Sequence, residues 1–160
     1  MKMTNIIKLI IFCVTLVFPL NLKANQVYKI KIMGKIEGET VKLPNEGKFN
    51  IFQANAAFSD TDGNYGDAIG RGVRETDINN KVINIYAVLI FDAPDGSSMM
   101  ARPKRTVSDI KAGTGSYTIL YATGVFKKYL GFKCKYGIST TRSGAFIQEN
   151  ICKKISNLIL

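Results

Sequence analysis

Polar and apolar residues alternate along most of this chain, and no stretch of ten or more residues repeats with a helical period. From Val27 to Ile36, Tyr28, Ile30 and Ile32 fall on one face, with Lys29, Lys31 and Met33 on the other. Phe49 to Phe58 continues the pattern. It ends at Ser59-Asp60-Thr61-Asp62-Gly63-Asn64, where Asp and Asn can bond their own backbone and Gly63 is free to take a positive φ. Tyr65 to Glu75 is a strand broken by Gly66, Gly70 and Gly72, residues that mark bends or close packing in a sheet. In Val82 to Asp92 the set Ile83, Ile85, Ala87, Leu89 and Phe91 makes a uniformly apolar face, as expected of a central strand with a dry, filled interior beneath it. Ala93-Pro94-Asp95-Gly96 then signals a hairpin into Ser97 to Arg105. After a polar connector that includes Gly113 to Ser116, the segments Tyr117 to Val125, Phe132 to Ile138 and Gly144 to Cys152 complete about eight strands.

An antiparallel meander of this kind closes on itself or stacks as a sandwich, because either solution protects its edges. Sequential hairpins and bending glycines suit closure. The expected fold is therefore all-β, a single up-and-down barrel of about eight strands, with a β-sandwich as the alternative. No repeat or linker divides residues 25–160, so they form one domain.

The N-terminus changes the compartment. Lys2 and Lys8 precede a run from Leu9 to Leu20 that is apolar apart from Thr15. Pro19 lies near its end, and Ala24 offers a small residue for cleavage. Residues 1–24 thus read as a secretory signal peptide, and Lys8 leaves the run too short for a spanning helix. The expected location is periplasmic or secreted, with no transmembrane span in the mature chain. Cleavage removes Cys13 and three lysines, lowering the net charge from +10 to +7. Cys134 and Cys152 then remain as a pair in an oxidising compartment and are expected to form a disulfide across the last two strands. The final residues, Ile155 to Leu160, read as a last strand or a cover over the barrel mouth.

Composition limits the chemistry. The chain has no His, which removes imidazole triads and His-containing zinc sites. Asp60 to Gly66 resembles the start of a calcium loop. However, the sixth and twelfth positions, Gly and Glu in an EF-hand, are Tyr65 and Arg71. Gly113-Thr114-Gly115 and Gly70-Arg71-Gly72 lack the following Lys-Ser or the βαβ setting of nucleotide sites. The acids lie mostly in turns. Glu75 and Glu149 are placed in or near strands beside Arg71 and Arg74, either as a buried Arg–Glu pair or, as the pattern favours, on an exposed face. No catalytic constellation, metal site or cofactor site follows.

The basic excess is more informative. Arg102, Lys104 and Arg105 form one cluster; Lys127 and Lys128, continued by Lys133 and Lys135, form a second; Lys153 and Lys154 a third. They are candidates for an anion-binding surface. Tyr129, Phe132 and Tyr136, interleaved with the second cluster, could stack on single-stranded nucleic acid. For an exported chain the expected polyanions are instead lipid headgroups or envelope polymers, and nothing points to specific nucleic-acid recognition.

Gly113-Thr114-Gly115-Ser116-Tyr117 followed by Ala122-Thr123-Gly124-Val125-Phe126 resembles the allene oxide cyclase and dirigent-type barrels. In these, a Gly-Thr-Gly-Lys-Phe/Tyr element precedes a Gly-rich strand, and Ser116 stands where that element usually has Lys. Asp60 to Gly66 and Cys134-Lys135-Tyr136 are similarly like elements of small secreted bacterial β-proteins. The resemblance implies an eight-stranded antiparallel barrel. Plant members of that superfamily cyclise an epoxide or steer radical coupling, and no residue here aligns with the positions they use. The expected function is binding of a small apolar molecule or an envelope component by an exported, non-enzymatic barrel. The alternatives are binding of anionic polymers or membranes through the basic clusters, and a cyclase- or isomerase-like enzyme.

Overall fold

The computed structural model describes residues 27–44, 47–105 and 108–154. The signal peptide expected over residues 1–24 and the apolar tail Ile155 to Leu160 lie outside them. The strands are β1 (Tyr28–Lys42), β2 (Lys48–Asp60), β3 (Tyr65–Thr76), β4 (Lys81–Asp92), β5 (Ser98–Ala101), β6 (Lys104–Arg105), β7 (Ser108–Asp109), β8 (Ala112–Ala122), β9 (Lys133–Thr140) and β10 (Ala145–Lys153). A 3₁₀ turn, Gly124–Tyr129, separates β8 from β9. All pairings are antiparallel. The circuit β1-β2-β3-β4-β5-β8-β9-β10 returns to β1, giving a closed eight-stranded barrel with β6 and β7 as short additions. The barrel, not the sandwich, is the solution this chain adopts. Among the described residues no helix is long and apolar enough to cross a membrane.

Closure is made where Tyr28 stands opposite Cys152 and Lys35 opposite Ala145. Because side chains alternate across a strand, this register sends Tyr28, Ile30 and Ile32 inward, each buried, and Lys29, Lys31 and Met33 outward. Cys134 and Cys152 face each other on β9 and β10 and are joined by the expected disulfide, both fully buried.

One end of the barrel is filled with aromatic rings. The 3₁₀ turn lays Phe126 and Tyr129 over it, both buried. The Tyr129 ring stacks on Tyr28, with centroids 3.7 Å apart, and meets Phe132 edge-on. Phe58 packs edge-on against Phe91 and close to Phe126. Each such ring contributes about 2–3 kcal/mol by leaving water. Polar contacts fix the turn: the Ser97 hydroxyl donates to Asp95 and accepts the Val125 N–H, and Thr123 Oγ1 accepts the Ser98 N–H.

The Asp60 to Asn64 turn works at the same end. The Asp60 carboxylate accepts the backbone N–H groups of Asp62 and Asn64, the Asn64 side chain and the Tyr28 hydroxyl at 2.8 Å, while Gly63 takes φ 84°. Asp62 accepts bonds from Lys128 and the Tyr129 hydroxyl. Those bonds, the one from Lys128 foremost, hold its carboxyl below the usual carboxylate range. The residues that look like half a calcium loop are used to pin two stacked tyrosines.

Several sequence expectations need correction. The segment Ser97 to Arg105 is not one strand: it breaks at Arg102 and Pro103, and β6 leaves β4 to pair with β8. β8 begins at Ala112, so Gly113 to Ser116 lies in the strand, not in a connector. The 3₁₀ turn replaces the expected end of that strand at Val125. A register shift between Glu75 and Thr76 turns Val82 inward and leaves Ile83 exposed, so the inner face of β4 is Val82, Ile85, Ala87, Leu89 and Phe91.

Cys134→Ser, which opens an 18-residue loop, should lower stability by about 3 kcal/mol under oxidising conditions. The same substitution should cost little when the parent is already reduced; equal costs in both would contradict a formed bridge. The Tyr117 hydroxyl is buried and has no hydrogen-bond partner, so Tyr117→Phe should leave the urea midpoint unchanged or raised. Tyr28→Phe, by contrast, loses the bond to Asp60 and should cost about 1 kcal/mol.

Candidate functional site

The half of the barrel away from the aromatic plug is not filled. A void of about 80 Å³ lies between Ile32, Ile36, Phe52, Leu89 and Phe146, and Arg74, Arg105, Tyr136 and Gln148 also line it. The sequence suggests a largely dry, side-chain-filled interior, and this void interrupts that filling in the half away from the plug. Polar groups nearby are tied in: Gln148 donates to Asn150, whose amide donates to the Ile30 carbonyl at 2.9 Å.

The wall beside this void is incomplete. β5 pairs with β4 only as far as Ala101 opposite Leu89. Pro103 brings no N–H to a ladder, and β6 is carried by β8, with Lys104 opposite Ser116 and Arg105 opposite Gly115. β4 regains a partner on that side at Val82, opposite Ser108. Between these points, among the described residues, Asn84 to Val88 are laddered to β3 alone. A cleft of about 590 Å³ overlies the gap, lined by Arg71, Ile83, Tyr86, Arg102 and Lys104 among others. The cleft and the inner void share Ile85, Ala87, Val88, Pro103 and Arg105, which stand between them.

The junction is cationic. Arg74 projects inward, where its Nε donates to Asn50 Oδ1 at 3.3 Å and its guanidinium lies 5.8 Å from the centre of the Phe52 ring. Its partner is thus a neutral amide. Burial lowers its pKa, and the neighbouring charge of Arg105 lowers it further. Arg105 is half-buried and donates to the Asp109 backbone carbonyl at 2.7 Å. Burial lowers its pKa as well, with Tyr136 and Asp109 opposing. No Asp or Glu among the described residues lines the void or the cleft. Arg74 and Arg105 are thus near enough for the charge of one to act on the other, partly out of water and beside apolar walls.

Tyr136 owes its place to Gly115, directly opposite on β8. A Cβ at Gly115 would fall 2.4 Å from the Tyr136 ring and 2.3 Å from the Lys104 carbonyl. The second glycine of Gly113-Thr114-Gly115 is therefore the floor on which this ring lies, and it brings β6 close to β8.

The seven basic candidates from the sequence do not form one surface. Arg102, Lys104 and Arg105 are brought together at the cleft. Lys127 and Lys128 ride on the 3₁₀ turn at the plugged end, where Lys128 is engaged by Asp62. Lys133 and Lys135 point outward from β9, while Tyr129, Phe132 and Tyr136 point inward and are buried, which removes them as a stacking platform. Sequence reasoning misplaced Arg74 on an exposed face and overlooked Asn50 and Gln148. The signal for Arg74 was its parity: it follows Ala68, Gly70 and Gly72 at intervals of two, all on the inward face.

Gly115→Ala should cost about 1–3 kcal/mol through overpacking, read as a lower urea midpoint. Ser116→Ala, one position along on the outward face, should move the midpoint little; a harmless Gly115→Ala would show that Tyr136 does not rest there. Searches against known protein families, curated proteins and solved structures found no match for this chain.

Proposed function

We propose that this protein is an exported, non-enzymatic barrel that binds a small amphipathic anion, such as an aliphatic or aromatic carboxylate. The observation that carries this reading is the pair Arg74 and Arg105, half-buried where an apolar void meets a lateral cleft. Arg74, whose Nε bonds to the neutral amide of Asn50, is costly to keep away from water, and an arriving anion would relieve that cost through charge-assisted hydrogen bonds.

Size sets the form of the ligand. The inner void, about 80 Å³, is well below the roughly 300 Å³ that holds a drug-sized molecule. Only one apolar end enters it. The anionic group sits at the junction between the two guanidinium groups, and the remainder lies in the cleft along Tyr86 and Pro103, which is large enough at about 590 Å³. Export is supported by the character of residues 1–24 and by a disulfide that suits an oxidising compartment.

The test is a fluorescence titration with 1-anilinonaphthalene-8-sulfonate and its neutral relative N-phenyl-1-naphthylamine. The sulfonate should bind more tightly. Arg74→Gln should weaken the sulfonate about tenfold or more, the scale of a hydrogen bond to a charged group, and leave the neutral probe unchanged. Equal affinity for the two probes, or a sulfonate affinity indifferent to Arg74→Gln in a variant of normal melting temperature, would overturn the reading.

A further inference from the structure

The side of the barrel built from β9, β10 and β1 carries charges that folding does not explain. On its outer surface Lys133 stands directly opposite Lys153. In the next row Ile151 lies between Lys135 on β9 and Lys29 on β1. Like charges placed opposite each other weaken a sheet. Among the described residues, none of these four lysines has a carboxylate within ion-pair distance. Glu149, one row further along, stands opposite Lys31, and Lys35 is taken by Glu37 at 2.7 Å. The acids named on this face therefore stand at least one row from these four lysines.

Apolar side chains are set into the same face. Ile151, Ile147 and Met33 are 49%, 46% and 50% exposed, and Ile147 and Met33 oppose each other across the β10–β1 ladder. Alternation keeps all three pointing away from the core. Ile151 held between two lysines, with Ile147 and Met33 two rows along, matches a bilayer surface, where cations meet headgroup phosphates and short apolar side chains enter the boundary below them. A soluble polyanion would engage the lysines and leave the isoleucines in water. We propose that this face docks the protein on a bilayer rich in anionic phospholipid.

The experiment is co-sedimentation with large vesicles of phosphatidylcholine alone or mixed with phosphatidylglycerol, at low and high salt. The protein is used as its producing cell accumulates it, and each variant is compared with the unaltered chain in that same form. Binding should require the anionic lipid and weaken with salt. Lys133→Gln with Lys135→Gln should lower the partition constant roughly 25-fold, taking about fivefold per lysine at a charged surface. Ile151→Ser should lower it about fivefold without changing retention on a dextran sulfate column. All three positions are exposed, and unchanged melting temperatures would confirm intact folds. Equal binding to neutral vesicles, or vesicle binding indifferent to the lysine variant, would overturn the proposal. So would an Ile151→Ser that matters on neither support while both lysines matter on both, since that pattern belongs to a soluble polyanion. None of these outcomes depends on the arginine site, because Arg74→Gln leaves this face untouched.

Discussion

The hydrogen-bonded seam between β10 and β1 is the constraint from which the rest of the molecule follows. Once Tyr28 is set opposite Cys152, every strand around the ring inherits a fixed parity, since a slip of one residue would turn all its side chains inside out. Parity decides which residues must share the lumen. At one end these are Tyr28, Phe58 and Phe91, which fill it together with Phe126 and Tyr129 from the 3₁₀ turn. At the other they are Phe52, Arg74, Arg105, Tyr136 and Gln148, which do not. Filled and unfilled halves are thus consequences of one register, with the disulfide stapling β9 to β10 beside the seam.

Much of the architecture was legible because it rests on local rules. Alternation alone places Tyr28, Ile30 and Ile32 inside, and the Asp60 to Asn64 turn and the Cys134–Cys152 pair can be read from side-chain chemistry and spacing. The misreadings share a cause: interruptions of the ladder that only the neighbouring strand defines. Ile83 looks like core until the shift at Glu75 and Thr76 moves the pattern by one and puts Val82 there instead. Ser97 to Arg105 looks continuous until Pro103 and the pull of β8 divide it. Gly113 to Ser116 looks like a loop because its glycines are read as turn residues, whereas Gly115 serves to make room for the Tyr136 ring.

The site was less legible for a deeper reason. Arg74 belongs to a strand rich in polar residues, and a lone cation there usually points to water. Its inward position becomes meaningful only when Asn50, Phe52 and Arg105 arrive from β2 and β6. Three elements separated in sequence must converge before the charge has a function to suggest. By the same logic the basic residues that stood out as runs, Lys127 with Lys128 and Lys133 with Lys135, separate in space into a turn and a sheet face.

In an eight-stave ring, position around the circumference is also direction. The lysine-bearing seam is made by β10 and β1, and the broken wall lies between β4 and the β5–β6 stave. Four staves lie between them on either path, β1, β2, β3 and β4, or β10, β9, β8 and β5. The two features are antipodal and look in opposite directions. A barrel lying on its seam would hold its side entrance toward the aqueous phase, so its cargo would be exchanged with solution and not drawn from the lipid beneath.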